Sequence, residues 1–149
     1  MDNGGLMEAK KQALMHESEV RVRGFHVDVY QHVNNARYLE FLEDARWHFF
    51  DEMQLTSVFT AAHCAMAVIN INISYRKSAY FGDDLVITTF FSKLQSRKAE
   101  LRQIITLKNT AQVIADATVA FTGFDQQTKK AIAFPSLLMK KMQTLLAST

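Results

Sequence analysis

A single cysteine stands in the 149 residues, so no disulfide can close within the chain, and a reducing, cytoplasmic setting is expected. Cys64 itself reads as a small buried hydrophobe rather than a reactive thiol. No apolar run approaches the ~20 residues that a membrane span requires, and the first residues lack the apolar core of a secretory signal. Net charge is only +2, with no dense basic stripe. That argues against a nucleic-acid partner and leaves room for an anionic small molecule. The five histidines show no His-x-x-x-His pair and no Cys–His cluster, so neither a metal nor another cofactor is expected. A Gly-x-Ser-x-Gly elbow, the usual setting of a serine nucleophile, is also missing. No repeat, low-complexity tract or linker divides the chain.

What is present is the material of one globular domain. Apolar residues make up 48% and charged residues 21%, enough to bury a sizeable core. Residues 1–18 read as an N-terminal extension, a weak helix or loose tail, and 19–149 as the domain. Val20–His26 is a strand candidate, with Val20 and Val22 alternating against Arg21 and Arg23. A helix is expected from about Asn35 to Met53, with Tyr38, Phe41, Leu42, Ala45 and Phe49 on one face and Arg37, Glu40, Glu43, Asp44 and Arg46 largely on the other. Residues 54–64 read as a connector with room for a helical turn.

Beyond it the period drops to two. Met66–Arg76 should place Ala67, Ile69, Ile71, Ile73 and Tyr75 on one face. Leu85–Ser92, apolar on both faces, reads as a strand covered on two sides. Ala99–Leu107 and Gln112–Phe124 follow after turn signals, the latter with Val113, Ala115, Ala117, Val119 and Phe121 on one face. A short apolar piece, Ala131–Phe134, precedes a helix from Pro135-Ser136 with Leu137, Leu138 and Leu145 as its contacts. Short turns make antiparallel neighbours, and one long helix can cover one face of such a sheet. The expected class is therefore α+β, a curved antiparallel sheet wrapped around one helix in the hotdog manner. Its outer strands would keep open edges that symmetric association could fill.

The most informative stretch is Asp28–Tyr38, D-V-Y-Q-H-V-N-N-A-R-Y. It sets an acid (Asp28), an imidazole (His32) and two amides (Asn34, Asn35) on a polar loop just ahead of the long helix. An Asn before an amphipathic run starts a helix well, because its side chain accepts an otherwise orphaned backbone N–H. A carboxylate close to the N–H groups of a helix start is suitable equipment for acyl transfer. An aspartate ahead of a helix is often only a turn stabiliser. Its company here, His32 with Asn34 and Asn35, favours catalysis. His32 reads as a residue that holds the loop, with a general-base role as the alternative. Arg76, Lys77, Arg97, Lys98, Lys129 and Lys130 gather at expected turns, where some could meet phosphates. The 11 Phe and 7 Met suit a pocket for a long acyl tail, or simply a well-filled core.

The block R-G-F-H-V-D-V-Y-Q-H-V-N-N-A-R-Y-L-E-F-L-E-D-A-R-W (Arg23–Trp47) resembles the hotdog-fold acyl-CoA thioesterases of the 4-hydroxybenzoyl-CoA thioesterase type. It is most similar to their bacterial long-chain acyl-CoA subgroup, as is V-I-N-I-N-I-S-Y-R-K-S-A (Val68–Ala79). The resemblance spans about residues 20–134. It implies that Asp28 is the catalytic acid, as nucleophile or as general base toward water. It implies that the Asn35 backbone N–H polarises the thioester carbonyl and that His32 orients the loop or the thioester. Asn34, Tyr38 and Arg76 are the candidate substrate contacts, while Tyr38, Phe41 and Trp47 read chiefly as core or dimer-contact residues. Two positions depart from the pattern: Gln31 stands where Gly is frequent before the histidine, and Ser78 where Pro is common.

The implied activity is hydrolysis of a medium- to long-chain fatty acyl-CoA to free acid and coenzyme A by a homo-oligomer, a dimer or a homotetramer built as a dimer of dimers. A non-catalytic acyl-thioester binding module and a thioesterase for acyl-carrier-protein thioesters are the alternatives. A binder has no need of an acid at Asp28. A hotdog hydratase would want an Asp–His pair on a differently worded loop.

Overall fold

The computed structural model describes residues 14–146. Strand β1 (His16–Arg21) starts inside the segment expected to be a tail or weak helix, and stops well short of His26. Residues 1–13 of that segment lie outside the described residues. The chain leaves the strand because the Arg23 N–H donates to Nδ1 of His26 at 2.8 Å. The His26 N–H donates back to the Arg23 carbonyl at 3.0 Å, closing a 3-10 turn over Gly24–His26.

Helix α1 (Asn35–Glu52) runs 18 residues, about 27 Å. Asn34 caps it, its side chain accepting the Ala36 N–H at 3.0 Å. The expected apolar face, Tyr38, Phe41, Leu42, Ala45 and Phe49, is buried, and Phe50 joins it. Arg46, expected among the solvated charges, is only 6% exposed. Its Nη1 donates to Oε1 of Gln103 at 3.1 Å, because its side chain turns under the helix toward the sheet. The expected connector contains a two-turn helix, α2 (Leu55–Ala61).

Strands β2 (Cys64–Tyr75), β3 (Asp84–Leu94), β4 (Lys98–Leu107) and β5 (Val113–Asp125) follow, with a short β6 (Ala131–Ile132) and a final helix α3 (Ser136–Leu145). The sheet order is β1-β3-β4-β5-β2, all antiparallel, with β6 on the end of β5. Chain order and sheet order differ at one place. Residues 76–83 are too long for a tight hairpin, so β2 pairs with β5 while β3 pairs with β1 and β4.

The register of β2 also corrects the expected alternation. Val68 opposes Phe121 and Ile71 opposes Val119, with a bulge between Val68 and Asn70. An extra residue flips the alternation. Val68 therefore shares the helix-facing side with Ile71, Ile73 and Tyr75, and Ile69 leaves it. In β3 only one face is fully covered: Leu85, Ile87, Thr89 and Phe91 are buried, and Val86, Thr88 and Phe90 are half-buried. In α3 the buried contacts are Leu138, Met142 and Leu145, and Leu137 is 68% exposed. A helix period of 3.6 brings positions 138, 142 and 145 to one side and turns 137 away. Gly123 lets the β6 end close on the sheet: a Cβ there would lie 3.1 Å from both the Cys64 sulfur and the Phe134 ring.

Candidate active site

The loop before α1 is a tight hairpin. Val27 bridges Val33, the Asp28 N–H donates to the His32 carbonyl at 2.9 Å, and the Gln31 N–H donates to the Asp28 carbonyl at 3.0 Å. Closing it forces Gln31 to φ +66°, the left-handed region where Gly is at ease. This is the physical reason a Gly would suit that position. The loop is anchored on both shoulders. His32 bridges Tyr80, the Val33 N–H donates to Ala79, and the Asn34 N–H donates to the His26 carbonyl at 2.9 Å.

The Asp28 carboxylate is fixed through one oxygen. Oδ1 accepts from the Tyr30 N–H at 2.8 Å and the His32 N–H at 3.3 Å. Oδ2 makes no hydrogen bond among the described residues. At the start of α1 the Ala36 N–H is taken by the Asn34 side chain, and the Arg37 N–H by the Asn34 carbonyl at 2.8 Å. The Asn35 N–H makes no hydrogen bond among the described residues. A free N–H at a helix start, reinforced by the helix dipole, attracts negative charge.

Asp28, His32, Asn35, Tyr38 and Arg76 line one cavity of about 230 Å³, together with Val33, Tyr75, Lys77 and Ser78. Asn34 is not part of the lining; its side chain is committed to capping. Tyr38 is buried, and its hydroxyl accepts the Ala79 N–H at 3.1 Å. Burial pushes the Tyr38 phenol above its ordinary range. Arg76 pairs with Asp116, Nε to Oδ2 at 2.8 Å, and remains mostly exposed. The His32 ring stands edge-on to Tyr80, centroids 4.9 Å apart.

Tyr75 was not singled out in the sequence as a site residue. Its ring lies 5.5 Å from that of Tyr38, and its hydroxyl donates to the Asn35 carbonyl at 3.3 Å. Its one signal was its place at the end of the β2 alternation, and nothing local says that this strand ends over the helix start. Among the described residues no group of three or more His, Cys, Asp or Glu side chains is placed to hold a metal ion. No helix among them is long and apolar enough to cross a membrane.

An antiparallel sheet packed on one long helix, with an acid beside that helix's N-terminus, defines the hotdog class of the thioesterase type. The comparisons agree. Residues 22–142 match the Thioesterase-like superfamily, and the chain belongs to that family. It is 44% identical over 129 residues to the long-chain acyl-CoA thioesterase FadM of Escherichia coli K12, covering 87% of this chain and 98% of that protein. Among solved structures it is similar to the probable thioesterase YbaW from Escherichia coli, with a TM-score of 0.81 at 44% identity, over 87% of this chain and 98% of that one. The 1,4-dihydroxy-2-naphthoyl-CoA thioesterase Slr0204 from Synechocystis shares the fold at 15% identity, with a TM-score of 0.75 over 87% of this chain and 96% of that one. The chain is a thioesterase, an enzyme of the hotdog fold.

Proposed function

We propose that this enzyme hydrolyses fatty acyl-CoA to free carboxylic acid and coenzyme A. The observation that carries the proposal is the shared cavity into which Asp28 and the unpartnered Asn35 N–H both open. The 44% identity to a long-chain acyl-CoA thioesterase supports the substrate class.

The chemistry follows from the atoms. When the thioester carbonyl is attacked, its oxygen gains negative charge, and the Asn35 N–H at the positive end of α1 stabilises that charge. Asp28 Oδ2 takes a proton from the attacking water, or attacks the carbonyl itself and is then released by water. Both routes end with the acyl–sulfur bond broken. Thiolate is a good leaving group, so one carboxylate and one oxyanion donor suffice. His32 acts through the loop, since its own N–H and carbonyl both bond to Asp28. Asn34 and Tyr38 are positioning residues: one caps α1, the other ties it to Ala79. Arg76 and Lys77 stand at the cavity rim, suited to the phosphates of coenzyme A.

The test is thiol release from acyl-CoAs of graded length, and from aromatic ones, by wild type and Asp28→Asn. Loss of about 10²- to 10⁴-fold in the variant with an unchanged Tm is expected. Retained turnover would move the chemistry away from Asp28. Saturable binding without turnover would make the protein a binding module, and turnover of carrier-protein thioesters alone would change the leaving group.

The assembly we propose is a homodimer, or a dimer of dimers, working in the cytoplasm. Strand β2 is a sheet edge 12 residues long, with no strand on its outer side among the described residues. Symmetric pairing of two such edges satisfies the row of open N–H and C=O groups. Light scattering after gel filtration checks it; a stable monomer that is fully active refutes it.

A further inference from the structure

Strand β2 ends over the start of α1. Its last side chain is Tyr75, whose ring lies 5.5 Å from that of Tyr38 and whose hydroxyl donates to the Asn35 carbonyl at 3.3 Å. That bond does little for the fold. It is long for an O–H donor, for which about 2.7 Å is usual. Tyr75 is 44% exposed, so water serves its hydroxyl as well. The carbonyl does not need the bond either. A helix start leaves N–H groups unpaired, whereas its carbonyls are taken up inside the helix. The phenol is a donor held beside Asn35 and available to another acceptor. Other polar side chains of the same cavity are already engaged: Tyr38 with Ala79, Arg76 with Asp116 and Lys77 with Gln112.

We infer that Tyr75 is a catalytic residue, its hydroxyl leaving the Asn35 carbonyl to donate to the thioester oxygen as a second donor beside the Asn35 N–H. The inference rests on the thioesterase reading, which sets the thioester oxygen at that N–H. Reach supports it. Bond lengths of about 1.46, 1.52 and 1.23 Å put the nitrogen and oxygen of Asn35 no more than about 4 Å apart. The Tyr75 oxygen is therefore within about 7.5 Å of that nitrogen, and an oxygen accepting from both donors spans about 5.7 Å. A swing of about 2 Å at the tip of a half-exposed ring closes the gap. Chemistry supplies the reason. A carbonyl oxygen has two lone pairs, the Asn35 N–H meets one, and attack on the carbonyl puts negative charge on that oxygen. The phenol keeps its proton throughout; it stabilises charge and transfers nothing. One donor is enough for turnover, and the second sets its rate.

Tyr75→Phe keeps the ring against Tyr38 and removes only the hydroxyl. In the full-length protein, kcat for octanoyl-CoA and palmitoyl-CoA should fall about 10²-fold, with KM within about threefold and Tm unchanged. Two unreactive analogues then read whether the hydroxyl meets the substrate oxygen. The S-octyl thioether of coenzyme A has no carbonyl; the octanoyl ketone in which a methylene replaces the thioester sulfur retains it. Tyr75→Phe should weaken binding of the ketone about tenfold and leave that of the thioether unchanged. Turnover kept within about threefold, or analogue affinities that move together or not at all, overturns the inference and leaves the thioesterase reading standing. A fall in Tm of several degrees makes the hydroxyl a structural tie and overturns it too. No turnover of either acyl-CoA by wild type removes the thioesterase reading, and the inference with it.

Discussion

The two halves of the core beneath α1 are built differently. The half nearest the candidate site is packed mainly with small and aliphatic side chains, Ala45, Ala79, Ala115 and Ala117 with Val22, Leu42, Leu85 and Ile105, and Tyr38 and Phe41 are its buried rings. The distal half is a mass of rings, Phe49, Phe50, Phe59, Phe91, Phe121 and Phe134, closed at the end by Leu138 and Met142 of α3. Between them runs a polar layer. Thr89 and Gln103 face each other across β3 and β4, His16 faces Thr89, and Arg46 reaches down from the helix. Gln103 binds the layer together, donating to the Leu42 carbonyl at 2.9 Å and to the Thr89 hydroxyl at 3.1 Å. The distal half has the bulk to supply stability. The near half holds a strained loop and a free N–H in place.

Substitutions can break that division. Phe121→Ala in the distal half should cost about 3–5 kcal/mol in denaturant unfolding, while the protein that remains folded keeps its octanoyl-CoA turnover. A large loss of turnover with little loss of stability would mean the halves are not separable in this way. In the polar layer, Gln103→Ala leaves the buried Arg46 guanidinium without its acceptor and should cost about 2–4 kcal/mol. The double variant Gln103→Leu with Arg46→Met removes both partners and should recover most of that loss. If it does not, the layer stabilises the fold through more than mutual satisfaction.

The layer also shows where sequence was legible and where it was not. Positions 99, 101, 103 and 105 of β4 read as one face, and three of the four are apolar, so the inward side was plain. Burial of Arg46 was not. Its partner Gln103 is 57 positions away, and on a helical wheel Arg46 borders the polar face. The strand order was hidden for a similar reason: which edge β2 joins depends on the pairing with β5, not on the local pattern. The bulge at Ile69 shifted half of β2 to the other side, and no residue there marks it. The loop before α1 fared better because its signals are local. An Asn cap, an Asp turn and a helix start all act within a few residues. The contribution of Tyr75 required two elements to meet, and so it was invisible.

A smaller effect should separate positioning from packing within the near half. Tyr38→Phe keeps the ring and removes the hydroxyl that accepts the Ala79 N–H, leaving a buried donor unmet at a cost of about 1–2 kcal/mol. The turn from Ala79 to Tyr80 carries the loop that holds Asp28, so kcat should fall several-fold with KM little changed. A variant that loses stability alone would return Tyr38 to a packing role.

The smallest effect is the dependence on acid. Burial holds His26 below its ordinary value of 6.5, with the nearby Arg37 and Arg23 cations acting in the same sense and Glu40 opposing them. Its Nδ1 must stay unprotonated to accept the Arg23 N–H, and its ring lies 4.9 Å from Phe41. The unfolded chain therefore binds this proton more readily than the folded one. The resulting stability is complete above pH 6.5 and is lost as pH falls through the folded value. His16, in the polar layer, is lowered for the same first reason and titrates in the same direction. The two can be told apart by their place. His26→Asn keeps an acceptor for Arg23 but cannot titrate, so it should flatten part of the fall in Tm below pH 6.5 and also protect turnover there, because the His26 carbonyl anchors Asn34. His16→Gln should flatten the Tm profile and leave the turnover profile unchanged. Equal protection of turnover by both would mean that the polar layer transmits to the site, and the two halves would then act as one unit.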